Sequence, residues 1–158
     1  MLAAQHARPV RLRPATAADA QDCARLHAEL FEPVWDCASF ARLLAHPAAL
    51  GFVAQLSAPA QTVGFILGQV AADEAEVLTL GVETEARRQG IATRLIEALA
   101  ETARAAGARV VYLEVAAANT AALALYRKLQ FQERGRRKGY YVTATAAPAD
   151  AVTFARAL

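Results

Sequence analysis

Apolar residues recur along this chain with two periods, and the switches between them divide it into a series of strands and helices. Val10 to Arg13 alternates as a short strand does. Ala17 to Leu30 follows with Cys23, Leu26 and Leu30 at helical spacing, and Thr16 stands where an N-cap belongs. Pro33 interrupts, Phe31 to Asp36 reads as a loop, and Ser39 to Ala45 predicts a second short helix ending before Pro47. Gly51 to Leu56 and Val63 to Val70 are apolar runs closed by turn residues, and Glu76 to Val82 alternates. The short links between these three strands favour antiparallel hairpins. Ile91, Leu95, Ile96, Leu99 and Ala103 mark one face of a helix that opens after Gly90, runs to about Ala106 and is stopped by Gly107. Beyond it, Arg109 to Val115 is a β-branched strand and Asn119 to Leu129 a helix. Phe131 to Arg136 predicts a strand leading to a basic turn, and Ala151 to Ala157 a closing strand.

The resulting order, β-α-α-β-β-β-α-β-α-β-β, is an α/β (α+β) layout of mostly antiparallel strands with one strand-helix-strand unit from Val77 to Val115. A length of 158 residues suits one domain, expected over residues 9–158, with residues 1–8 a flexible segment. Composition, 56% hydrophobic and 20% charged, is that of a globular chain rather than a disordered one. A net charge of +2 is too small to argue for nucleic acid, so an anionic ligand must be held locally. No apolar run is long enough to cross a membrane, and a cytoplasmic location is expected. Cys23 and Cys37 stand apart, and His6, His27 and His46 pair neither with them nor with one another at ligand spacing. No metal site and no disulfide are expected.

The chemistry concentrates in the strand-helix-strand unit. Leu80-Gly81-Val82 ends a strand, and Arg87-Arg88-Gln89-Gly90-Ile91-Ala92-Thr93 opens the long helix. The first N–H groups of a helix lack intrahelical partners and sit at its positive end, so a pyrophosphate could accept hydrogen bonds from Arg88 to Thr93, with Gly90 and Ala92 leaving room. A tight turn with solvated arginines is the plain alternative. Glu114 interrupts an apolar strand, either on a solvated face or lining a cleft. Tyr126 lies about two helical turns after Asn119, on the same helix face. Asn119 could simply cap that helix.

Arg87-x-x-Gly90-x-Ala92 resembles the Arg/Gln-x-x-Gly-x-Gly/Ala hallmark of the GNAT acetyltransferases. About 70 residues downstream keep that family's order: Leu113-Glu114-Val115, Asn119, Ala124-Leu125-Tyr126 and Phe131. Within the superfamily the chain is most similar to the RimI-like ribosomal-protein alanine N-acetyltransferases, which also end a late basic turn in Tyr-Tyr. Here that is Arg136-Arg137-Lys138-Gly139-Tyr140-Tyr141, and Phe31 and Pro33-Val34-Trp35 resemble that group's substrate loop. Gln130 departs from the pattern, standing where the family normally has Gly.

The resemblance implies a GNAT fold, a mixed sheet of six to seven strands with about four flanking helices. It also implies acetyl-CoA as co-substrate at Leu80 to Val82, Arg87 to Thr93 and Asn119. Glu114 would be the proton acceptor, Tyr126 the proton donor to the leaving thiolate, and Trp35, Tyr140 and Tyr141 the walls of a peptide site. The implied acceptor is a protein N-terminus, including that of a ribosomal protein, attacked directly. Such an α-amine, with pKa about 7.7–8.0, is roughly one-tenth neutral at pH 7, whereas a lysine near 10.4 is neutral in only a few molecules per ten thousand. Two alternatives stand beside this reading: a GNAT enzyme acting on lysine or a small amine, and a CoA-binding regulatory module without catalysis.

Overall fold

The computed structural model describes residues 9–142, 144–145 and 147–158, so the segment 1–8 lies outside the described residues. Strands β1 (Val10–Pro14), β2 (Ala49–Ser57), β3 (Ala60–Ala71), β4 (Glu74–Val82), β5 (Val110–Ala116), β6 (Gln132–Tyr141) and β7 (Ala149–Ala157) form one sheet in the order β1-β2-β3-β4-β5-β7-β6. Four α-helices flank it: α1 (Ala20–Leu30), α2 (Cys37–Ala45), α3 (Ile91–Ala105) and α4 (Thr120–Lys128). Every strand pair is antiparallel except β4–β5, the ends of the strand-helix-strand unit.

The sheet buries two cores. On one face Cys23, Leu26 and Phe40 of α1 and α2 pack on Val53, Phe65 and Leu67. On the other, Ile91, Leu95 and Leu99 of α3 join Leu123 and Tyr126 of α4 over Val111, Leu113 and Phe154. Alternation along β5 sends Val111, Leu113 and Val115 to the α3–α4 side, which leaves Tyr112 and Glu114, both partly exposed, on the opposite face. Helices α1 and α2 pack against β2 and β3, with α1 also reaching β4, so that opposite face is open from β4 to β6.

A bulge shapes the middle of the sheet. The β3–β4 register passes from Leu67↔Thr79 to Gly68↔Val77, so Leu78 is an extra residue without a partner of its own. A Cβ on Gly68 would lie 2.5 Å from the Glu76 carbonyl oxygen and 2.9 Å from Leu99 Cδ1, which only glycine avoids. Parallel pairing of β4 with β5 runs from Glu74↔Val110 to Val77↔Leu113 and stops there, beside the bulge. Past that point β4 and β5 part, and the edges of residues 78–82 and 114–116 that face each other are unpaired.

Two expectations need correction. The first helical turn is separate: Ala17–Asp19 is a 3₁₀ turn, closed by the Asp19 carboxylate, which accepts the Thr16 N–H at 2.8 Å. The basic segment is no turn, because Arg134, Arg136, Arg137 and Lys138 lie within β6, with Arg136↔Val152 and Arg137↔Ala151 as β7 partners. Pairing with β7 satisfies the backbone there, and β6 is the sheet edge, so its charged side chains stay in water.

Candidate active site

The junction between β4 and α3 is built to leave backbone donors free. After the 3₁₀ turn Thr84–Ala86, Arg88 (φ 60°) and Gly90 (φ 74°) adopt left-handed conformations that swing the chain into α3. Arg94 N–H bonds the Gly90 carbonyl at 3.1 Å, whereas the N–H groups of residues 88–93 have no acceptor among the described residues. Residues 87–90 are exposed, and a Cβ at Gly90 would meet nothing within 4 Å, so the space before these donors is open. The Arg87 Nε–H donates to the Val82 carbonyl at 3.1 Å, tying the turn to the end of β4. Gly81 and Val82 are buried and Leu80 half-buried beneath this turn, as are Ile91 and then Ala92 and Thr93 at the start of α3. An oligoanion fits this arrangement, because unpaired N–H groups and the α3 dipole act at one place.

Glu114 and Tyr126 lie on opposite faces of the sheet, Glu114 one residue past the last β4–β5 pair. Glu114 is 21% exposed; its Oε1 forms an ion pair with Arg137 Nε at 3.1 Å and accepts, at a long 3.5 Å, the hydroxyl of Thr153, its cross-strand partner on β7. Tyr126 is held by its ring, edge-on to Phe131 at 5.6 Å and tilted against Phe154 at 6.1 Å. Burial pushes its phenol up to about 12, with Tyr141 adding to the effect. The hydroxyl has no hydrogen-bond partner among the described residues. Tyr141, half-buried, is itself raised by burial first and by Glu114 and Tyr140 next, so it stands close to both groups.

The open face carries a groove of two adjoining depressions that share Gln69. One, about 420 Å³, contains Glu114 with Glu76, Tyr112, Arg137 and Thr153; the other, about 400 Å³, lies under α2 with Trp35, Arg42, Leu43 and the bulge residue Leu78. Trp35 is fixed by His27, a buried side chain whose Nδ1 accepts the Trp35 N–H at 3.2 Å and whose ring stacks on the indole at 5.1 Å. Burial holds His27 below the ordinary histidine range, so it is neutral at pH 7. At the groove's far end Tyr140 is exposed and packs edge-on to Tyr141 at 5.2 Å, with the Arg137 guanidinium 5.1 Å from its ring centre.

The structure thus sets Tyr141 near both Glu114 and Tyr126, places Trp35 and Arg137 in adjoining depressions with Tyr140 against Arg137, and keeps Leu80 to Thr93 together at the α3 N-terminus. Asn119 acts as a cap, its Oδ1 accepting the Ala122 N–H at 3.2 Å. Sequence reasoning missed Arg137 and Thr153 as partners of Glu114, and His27 as the support of Trp35. None carries a local signal: each contact depends on strand order or on how the α1–α2 loop folds back.

Comparison with known proteins agrees with this geometry. Residues 20–131 match the acetyltransferase (GNAT) family. The chain is 42% identical over 154 residues to N-alpha-acetyltransferase RimI of Mycobacterium tuberculosis, covering 94% of this chain and 92% of that one. It is 37% identical over 89 residues, 56% of this chain and 60% of the other, to the ribosomal protein bS18-alanine N-acetyltransferase of Escherichia coli. The crystal structure of the Escherichia coli ribosomal-protein-S18-alanine N-acetyltransferase superposes with a TM-score of 0.85 at 28% identity, over 94% of each chain. An anion cradle at a strand-helix junction, beside a parted parallel strand pair and within a family match over most of the chain, leads to one assignment: this chain belongs to the GNAT acetyltransferase family.

Proposed function

We propose that this protein, acting as a single domain over residues 9–158, transfers the acetyl group of acetyl-CoA to the α-amino group of a protein N-terminus, an N-terminal alanine of a bS18-type ribosomal protein. Likeness over nearly the whole chain to an N-alpha-acetyltransferase, and over 89 residues to a bS18-alanine N-acetyltransferase, supports the substrate class. The observation that carries the mechanism is the placement of Glu114 just past the last β4–β5 pair with Tyr126 on the other face of the sheet and Tyr141 near both.

Acetyl-CoA supplies an activated thioester; the chain's residues do the rest. The free N–H groups of residues 88–93 donate to the pyrophosphate, and the unpaired edge of β4 past Val77 offers backbone groups to the amides of the pantetheine arm. Glu114, on the open face, takes the proton of the attacking amine directly or through water. Tyr126, protonated at every physiological pH with its pKa of about 12, donates to the departing thiolate, whose conjugate acid lies near 8.5. Trp35 lines the groove along which the acceptor chain lies, and Tyr141 stands near Glu114. Neither thiol offers a covalent route: Cys23 is buried with its pKa pushed up to about 12, and Cys37 is outside the junction and the parting of β4 and β5.

Glu114→Gln and Tyr126→Phe test this assignment. Each is expected to lower kcat by about 100-fold or more while CoA affinity stays within twofold, measured by thiol release and by calorimetry. Unchanged turnover in either variant removes that residue from the mechanism.

A further inference from the structure

Both contacts on Glu114 fall on the same oxygen. Oε1 pairs with Arg137 Nε at 3.1 Å and accepts the Thr153 hydroxyl, and no hydrogen bond to Oε2 occurs among the described residues. Arg137 comes from β6, two strands away from β5, and its guanidinium lies against the Tyr140 ring at 5.1 Å. Both contacts thus hold one carboxylate oxygen, in a cleft that Glu114, Arg137 and Thr153 line together. A glutamate has three rotatable side-chain bonds, so an unanchored Glu114 would spread its carboxylate over several rotamers, and a misplacement of 1 Å at a reacting group can cost about 100-fold.

We propose that Arg137 is a positioning residue, which with Thr153 clamps Oε1 of Glu114 so that Oε2 faces the acceptor amine. The proposal rests on the reading of Glu114 as the base. Arg137 is itself largely exposed, so replacing it leaves the core untouched. Its role is to act through Glu114, and that sets it apart from a residue that binds the acceptor on its own account.

The test is a double-mutant cycle on the full chain, with acetyl-CoA and a peptide bearing a free N-terminal alanine. Arg137→Gln is expected to lower kcat about 10-fold, with KM for acetyl-CoA and the melting temperature unchanged and with much of the loss restored in Arg137→Lys. In the Glu114→Gln background the same change is expected to cost less than twofold, because the group it orients is gone. Equal losses in both backgrounds overturn the clamp alone, as does an Arg137→Gln variant with unaltered kcat or one whose whole defect is in KM for the peptide. A Glu114→Gln enzyme as active as the parent overturns the base reading and the clamp with it.

Discussion

Gln130 stands at φ 68°, in the left-handed region where glycine is the usual residue. It ends α4 in a Schellman motif: Gln130 N–H bonds the Arg127 carbonyl at 3.1 Å, Phe131 N–H bonds the Tyr126 carbonyl at 3.0 Å, and the Tyr126 and Phe131 rings meet. The helix end therefore keeps the shape a glycine would give, at the cost of a strained backbone. Gln130→Gly is expected to stabilise the fold by about 0.5–1 kcal/mol, the relief of a left-handed residue less the added freedom of the unfolded chain. Thermal unfolding checks it; a lower melting temperature contradicts the account. At this scale Glu114 is marked in the sequence because it interrupts an apolar strand, while Tyr126 takes its proposed role from the resemblance. Arg137 is not marked, because its contact with Glu114 exists only once β7 lies between β5 and β6.

Between elements, the decisive feature is the bulge at Leu78 next to the last β4–β5 pair, since it accompanies the parting of the two strands that opens the proposed site. Nothing in the spacing of Glu76 to Val82 announces it: a bulge is a property of two strands in register. Gly68→Ala would press a methyl group into the Glu76 carbonyl and Leu99, and is expected to cost about 2–3 kcal/mol, seen as a fall in melting temperature of roughly 4 °C or more. Gly135→Ala is the control, because a Cβ there meets nothing within 4 Å; equal melting temperatures for the two variants contradict the reading. The loop between α1 and α2 depends on His27. With its pKa depressed by burial, the neutral imidazole accepts the Trp35 N–H; protonation turns that acceptor into a donor. Its contribution is present above the unfolded histidine value of about 6.5 and is lost as pH falls through the lower folded value. Trp35 is the sole tryptophan, so its fluorescence is expected to change with a midpoint below pH 6.5 and to stay flat in His27→Phe. A midpoint at or above 6.5, or the same curve in the variant, contradicts this.

Across the whole molecule, the element order read from periodicity matches the structure, because each long element carries its own apolar stripe. Strand order was not readable in the same way: β7 inserts between β5 and β6, and that insertion carries the basic residues of β6 along the sheet edge instead of into a turn. The result is a groove on one face, a helix start with unpaired N–H groups, and a gap where β4 parts from β5. The central claim is that this gap serves an α-amine delivered by a protein chain. Its most direct test is mass spectrometry of two peptides after incubation with acetyl-CoA, one with a free N-terminal alanine and no lysine, the other N-terminally blocked with an internal lysine. Acetylation of the free alanine alone is the expected result. Acetylation confined to the lysine would contradict the claim.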